Sequence, residues 1–254
     1  MKLLFAVRQL IFTCLFFIPL IAYSATKVVP ETADKTKSPY SHAGKLFSAI
    51  EVEGKIKFLP LCSAQYVLSE DTIITAAHCV LGLKKEQMFY LHSFSEKTKI
   101  EPSIDGTIKC FGTHSNYGGV ARSENDFAIL KLNAPGGKGF LKVSPGIVEK
   151  EAVTSFGYPS NFKKGKELLA VHGQRTKHKE FKGVQIMSGN SFDKGASGGA
   201  WVNGKKEIVG INSHLIGTPN GPSDTDNLMY SPIFGKEFSD LYGYVNSGCA
   251  GDSP

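Results

Sequence analysis

The chain holds a single tryptophan and only five cysteines among 254 residues. No two cysteines form a C-x-x-C, and no histidine lies at zinc-finger spacing from them, so no structural zinc motif is present. No metal or cofactor is expected. Helical periodicity is scarce, which argues against a helical bundle. Beyond the first two dozen residues, no apolar run is long enough to span a bilayer. Basic residues are not interleaved with aromatics as a single-stranded nucleic-acid surface requires, so no nucleic-acid partner is expected.

What is present suits a large, turn-rich domain. Apolar residues make up 41%, enough for a substantial core, and 27 Gly with 12 Pro point to many turns between short strands. Lys2 and Arg8 precede the short apolar run "LIFTCLFFIPLIA" (10–22), followed by small residues Ala22 and Ser24. Residues 1–24 read as a cleaved secretory signal, which places the mature protein outside the cytoplasm, in the periplasm or the medium; an uncleaved anchor is the rival reading, disfavoured by the short apolar run. Removing Lys2 and Arg8 lowers the formal charge from +6 to +4. The remaining charge clusters in 163–182 (Lys163, Lys164, Lys166, Arg175, Lys177, Lys179, Lys182), expected to be the solvated face of a hairpin or an attraction for acidic partners. Export also changes how cysteine is read. Cys14 leaves with the signal, and Cys62, Cys79, Cys110 and Cys249 form an even set that implies disulfides, with three possible pairings.

A polar, Lys/Thr/Pro-containing stretch over 25–43 reads as a flexible lead-in or short propeptide. Short apolar or alternating runs then recur: "KLFSAIEVEG", "KIKFLPLCSAQYVLS", "TIITAAHCV", "FAILKL" (127–132), "VTSFGYP" (153–159), "ELLAVHGQ" (167–174), "GVQIM" (183–187), "GAWVN" (199–203) and "KEIVGINSHL" (206–215). These are strand patterns. Phe238, Leu241, Tyr242 and Val245 share one face of "KEFSDLYGYV" (236–245), the best candidate helix. The Gly/Pro cluster "NAPGGKG" (133–139) marks a boundary between two halves.

Three segments carry candidate chemistry, in the order His, Asp, Ser. In "TAAHC" (75–79), His78 leaves a strand next to Cys79. A general base must be held in one orientation and tautomer, and a neighbouring disulfide would do so. Cys62 is the natural partner, closing a loop of about 17 residues worth ~3 kcal/mol in the chain-entropy picture. In "ENDFAILKL" (124–132), Asp126 heads an apolar run, where a partly buried carboxylate needs a partner such as an imidazole N–H. In "KGASGGAW" (194–201), small residues flank Ser197, and Gly195 lets its own N–H and that of Ser197 point the same way, toward a developing oxyanion. Taken singly, each segment also reads as a surface histidine, a turn aspartate or a Gly-Ser turn.

Together, "TAAHC", "NDFAILKL" and "GASGGAW" resemble the trypsin/chymotrypsin-like serine peptidase family, over about residues 44–246. The resemblance implies an all-β fold of two six-stranded antiparallel β-barrels with a C-terminal helix. The first barrel is expected over 44–138, the second with the helix over 139–246, and a tail over 247–254. It implies a secreted, monomeric serine endopeptidase acting on protein or peptide substrates. Its triad would be His78, Asp126 and Ser197, with an oxyanion hole from the N–H groups of Gly195 and Ser197. Ala196 stands where digestive members carry an acid that receives a freed N-terminus, and no Ile-Val-Gly-Gly-like start is present. The loop is closer to the bacterial glutamyl-endopeptidase (V8-like) branch. Cys110 and Cys249 do not match the trypsin disulfides. They are the pair that remains once Cys62 joins Cys79, and their bridge would tie the C-terminus to the first barrel. By the same resemblance, Ser191 and Phe192 lie near the base of the specificity pocket and Ser213 and His214 on its wall. Asp193 would suggest a basic P1 residue, Asn212 and His214 an acidic one.

Two other classes compete. "GASGG" also satisfies the Gly-x-Ser-x-Gly elbow of α/β-hydrolases, but that fold orders its triad Ser, acid, His, and here His and Asp come first. A non-catalytic binding protein on a trypsin-like fold is the second alternative.

Overall fold

The structure is a computed structural model, and it describes residues 29–118, 124–214 and 228–251. The signal-like segment lies outside the described residues.

Among the described residues, thirteen strands form two antiparallel sheets. The first sheet contains β2 (Ala43–Val52), β3 (Lys55–Tyr66), β4 (Thr72–Thr75), β5 (Met88–His92), β6 (Ile108–Thr113) and β7 (Ala128–Leu132), in the order β5-β2-β3-β4-β7-β6. Its ends meet where Phe89 bridges Thr107 and the Tyr90 N–H donates to Gly106 O at 2.7 Å. The second sheet contains β8 (Glu151–Gly157), β9 (Leu169–Lys177), β10 (Val184–Ser188), β11 (Ala200–Val202), β12 (Ile208–Ile211) and β13 (Met229–Pro232), in the order β12-β11-β8-β9-β10-β13. It closes just past β12, where Ser213 N–H donates to Tyr230 O and Tyr230 N–H to His214 O, both at 2.9 Å. Closure removes the exposed edges that an open sheet would present. The expected two six-stranded barrels are thus present, with one addition. A two-residue strand β1 (Glu31–Thr32) pairs with β9.

The strands form where the sequence alternates or is β-branched. "TIIT" is buried along its whole length because β4 lies between β3 and β7. Phe47, Tyr66, Ile73, Phe89, Ile129 and Leu130 help fill the first barrel, and Val171, Met187, Phe192, Trp201 and Val209 the second. Arg175 departs from the solvated face expected of its cluster. It points inward, 1% exposed, with its Nε 2.6 Å from Glu151 Oε2 and its Nη1 donating to Gln185 Oε1 and the carbonyls of Gly146 and Val209. A buried guanidinium requires this many acceptors.

The lead-in is bound rather than loose over its described part. Ala33 N–H donates to Leu168 O, Lys35 Nζ donates to the carbonyls of Ser93 and Phe94, and Ala33 and His42 are buried. Its anchors, the β1 pairing with β9 and the Lys35 side chain on the chain beyond β5, are contacts with distant segments that local composition does not reveal. The helix α1 (Lys236–Asn246) buries Phe238, Leu241 and Val245. It follows the second barrel in sequence but packs against β6 and β7 of the first. Disulfides join Cys62 to Cys79 and Cys110 to Cys249, the latter tethering the chain beyond α1 to β6.

Candidate active site

Strand register brings the three segments to one place. Thr75 pairs with Ala128, so the chain leaving β4 toward His78 and the chain entering β7 from Asp126 lie at the same end of the first barrel. Ala200 pairs with Ile211, so Ser197 and Ser213 likewise share an end of the second. His78, Asp126, Ser197, Ser213 and His214 all line one cleft of about 290 Å³ between the barrels, together with Phe192, Asp193, Lys194 and Met229.

His78 sits in a single 3-10 turn, Ala77–Cys79, tied to β3 through Cys79 and Cys62. Asp126 grips it twice. Its Oδ1 accepts from the His78 backbone N–H at 2.9 Å, and its Oδ2 lies 2.8 Å from the ring Nδ1. The Asp126 side chain is 3% exposed and that of His78 32%. Burial alone would push the Asp126 carboxyl up, but hydrogen bonds from His78 and Ser213 outweigh it and hold the carboxyl below its ordinary value. An ionised carboxylate on Nδ1 fixes the tautomer with Nδ1–H donating, which leaves Nε2 as the basic atom. Ser213, assigned by resemblance to the pocket wall, also donates its hydroxyl to Asp126 Oδ2. Tyr117 is a further neighbour. Its phenol is pushed up first by burial, then by the charge of Asp126 and a hydrogen bond to it.

The Ser197 loop is held across the barrel seam. Ser63 of β3 donates its N–H to Ser197 O and its hydroxyl to Gly195 O, both at 2.8 Å, and Gln65 Nε2 donates to Gly198 O at 3.0 Å. Two glycines are required here. A Cβ on Gly198 (φ +79°) would lie 2.1 Å from Thr75 Oγ1 and 2.8 Å from Ala76 N, so only glycine lets this loop approach the strand end that carries His78. Gly195 (φ +87°) lies in the left-handed region, and a Cβ there would meet Tyr158 O at 2.7 Å. Among the described residues, neither the Gly195 N–H nor the Ser197 N–H donates to any acceptor. Two unpaired amides two residues apart, in a loop whose Ser197 lines the cleft, suit an oxyanion site.

The remaining sequence-derived pocket residues divide. Phe192 and Met229 give the cleft an apolar wall. Ser191 is not among the lining residues, and its carbonyl accepts from Asn161 Nδ2 at 2.8 Å. Asp193 is exposed at the mouth rather than at a pocket floor. His214 stacks on Tyr230 with centroids 5.2 Å apart, and burial chiefly lowers its pKa, so it is neutral at pH 7. Asn212 is fully buried and its amide is taken up by internal partners, so it does not face a substrate. Residues 215–227, which include Leu215, Ile216 and Gly217 of the expected wall, lie outside the described residues. Ser63, Tyr117, Lys194 and Met229 carry no sequence signal of their own, and only the folded register brings them to the site.

Two closed antiparallel barrels with a His–carboxylate pair and a serine loop at their seam define the chymotrypsin-like class of proteins. Comparison with known families agrees. The Trypsin family profile matches residues 35–230, and the chain belongs to the trypsin family of serine proteases. Solved structures of similar fold include the protease Anisep from Arthrobacter nicotinovorans (TM-score 0.65, 22% identity, 88% of this chain and 100% of that one). A Glu endopeptidase in complex with MPD is similar at TM-score 0.63 and 19% identity, over 86% of this chain and 96% of that one. A scabies mite inactivated protease paralogue, S-D1, is similar at TM-score 0.66 and 17% identity, over 87% and 98%.

Proposed function

We propose that this chain is an exported serine endopeptidase in which Ser197 is the nucleophile, His78 the general base and acid, and Asp126 the group that orients the imidazole. The observation that carries this reading is the double grip of Asp126 on His78 in the cleft that Ser197 also lines. His78 Nε2 takes the Ser197 hydroxyl proton as Oγ attacks the peptide carbonyl carbon. The resulting oxyanion accepts from the N–H groups of Gly195 and Ser197. Collapse breaks the C–N bond, and the His78 proton goes to the leaving amine. Water, deprotonated by His78, then attacks the acyl-enzyme ester and releases the acid with Ser197 restored. Phe192 and Met229 favour an apolar or uncharged side chain in the cleft. Export is supported by the two disulfides.

The alternative is a non-catalytic binding protein on the same fold; one structure of similar fold is described as an inactivated protease paralogue. Unlike a chain that has lost a triad member, this one retains His, Asp and Ser with both loop glycines. Digestion of a peptide library with mass-spectrometric mapping of cut sites separates the two. Cleavage by the wild type and none by Ser197→Ala supports the peptidase. A folded, processed wild type that cuts nothing favours the binding protein.

A further inference from the structure

Asn212 sits at the centre of a buried polar cluster directly behind the Ser197 loop. Its side chain is completely buried, as are Ser155, Asn190 and Trp201 around it. Three donors converge on its Oδ1: Trp201 Nε1 at 2.7 Å, Ser155 Oγ at 2.8 Å and Asn190 Nδ2 at 2.9 Å. They fix which way the amide faces, because a flipped amide would set its N–H groups against three donors. Nδ2 therefore points at the loop and donates to Ala196 O at 3.2 Å. The Asn212 backbone holds the same loop, since Gly198 N–H donates to Asn212 O at 2.7 Å and Asn212 N–H donates to Gly199 O at 2.8 Å. The next residue, Ser213, donates to Asp126.

We propose that Asn212 is a positioning residue for the peptidase reaction, locking the 196–199 loop so that Ser197 and its amide stand ready for the substrate carbonyl. The inference rests on the peptidase reading. It assigns the loop an internal anchor at the position where Ala196 offers no side-chain acid for an inserted N-terminus. An amide whose Oδ1 is saturated by three donors has no other low-energy orientation, so the anchor is rigid. Among the described residues no charged group hydrogen-bonds the Asn212 amide; its partners are Ser155, Asn190, Trp201 and backbone carbonyls.

Asn212→Asp tests this with little change in shape. An ionised carboxylate keeps the Oδ1 acceptor but turns a second acceptor toward Ala196 O, whereas a protonated one restores a donor. At pH 8, kcat should fall roughly 10- to 100-fold, the scale of a small misplacement of reacting groups, with KM within about twofold. The ratio of variant to wild-type kcat should rise as pH is lowered toward 5.5. A variant that merely loosened the core would not recover on acidification. A folded Asn212→Asp with wild-type kcat at pH 8 overturns the proposal. Should it fail to fold, Ser155→Ala decides. Loss of one Oδ1 donor should lower kcat severalfold with KM retained, and an unchanged kcat in that folded variant overturns the proposal. A folded wild type that hydrolyses no peptide refutes the peptidase reading and this inference with it. An active wild type equalled by the variants refutes the inference alone.

Discussion

Removing the two disulfides one at a time should separate stability from rate. Cys62–Cys79 closes 17 residues and Cys110–Cys249 closes 139. In the chain-entropy picture these loops are worth about 3 and about 5 kcal/mol, so Cys110→Ala/Cys249→Ala should be the less stable variant by about 2 kcal/mol. The rates should rank the other way. Cys79 is in the turn that carries His78, and a base displaced by about 1 Å costs up to roughly 100-fold. Cys110 and Cys249 join β6 to the chain beyond α1 and line no part of the cleft, so their loss should leave the rate within about twofold. Guanidinium unfolding followed by the fluorescence of the single buried tryptophan, Trp201, gives the stabilities, and fluorophosphonate labelling gives the rates. If Cys62→Ala/Cys79→Ala is the less stable pair, or labels at the wild-type rate, the assignment of that bridge to positioning the base is refuted.

Asp126→Asn should retain the fold and lower kcat by roughly 10³- to 10⁴-fold, because an amide facing Nδ1 favours the wrong tautomer; steady-state kinetics on a peptide found in the library checks this. The Asp126 carboxyl is held low in the fold, so its stabilisation is complete above about pH 4 and is lost as pH falls further, and acid titration of Asp126→Asn should lack that step. Gly198→Ala should abolish labelling and lower the unfolding midpoint, since its Cβ would overlap Thr75 Oγ1. Lys45 is 5% exposed, and burial lowers its pKa to about 8. Its charged form is disfavoured in the fold, so stability gains as pH rises from about 8 toward the unfolded value near 10.4. Lys45→Met should raise stability at pH 7 by about 2–3 kcal/mol, and pH-dependent unfolding should show the gain shrinking above pH 8.

The strand ends flanking the proposed triad residues were legible because each joins a local constraint to a strand pattern. "TII" before His78, "FAILKL" after Asp126 and glycines around Ser197 are short-range patterns, and they became β4, β7 and a turn tight enough to approach β4. The helix was legible in Phe238, Leu241 and Val245, but its docking on the first barrel depends on a partner face formed by β6 and β7. Asn212 illustrates the limit. Its residue type suggested a pocket contact, whereas the closing register of the second barrel turns it inward onto Trp201 and Ser155. Arg175 and Lys45 are similar cases, basic residues that tertiary pairing buries. Specificity was the least legible, because the cleft wall draws Lys194 and Met229 from separate elements.

The second-order rate of fluorophosphonate labelling in folded wild type, His78→Ala, Asp126→Ala, their double variant and Ser197→Ala tests the central claim most directly. The account predicts rapid modification of Ser197 in the wild type and none in Ser197→Ala. It also predicts losses in the double variant close to that of His78→Ala alone, because Asp126 acts through the imidazole. Labelling that survives Ser197→Ala, or a folded wild type that is never labelled, would contradict it.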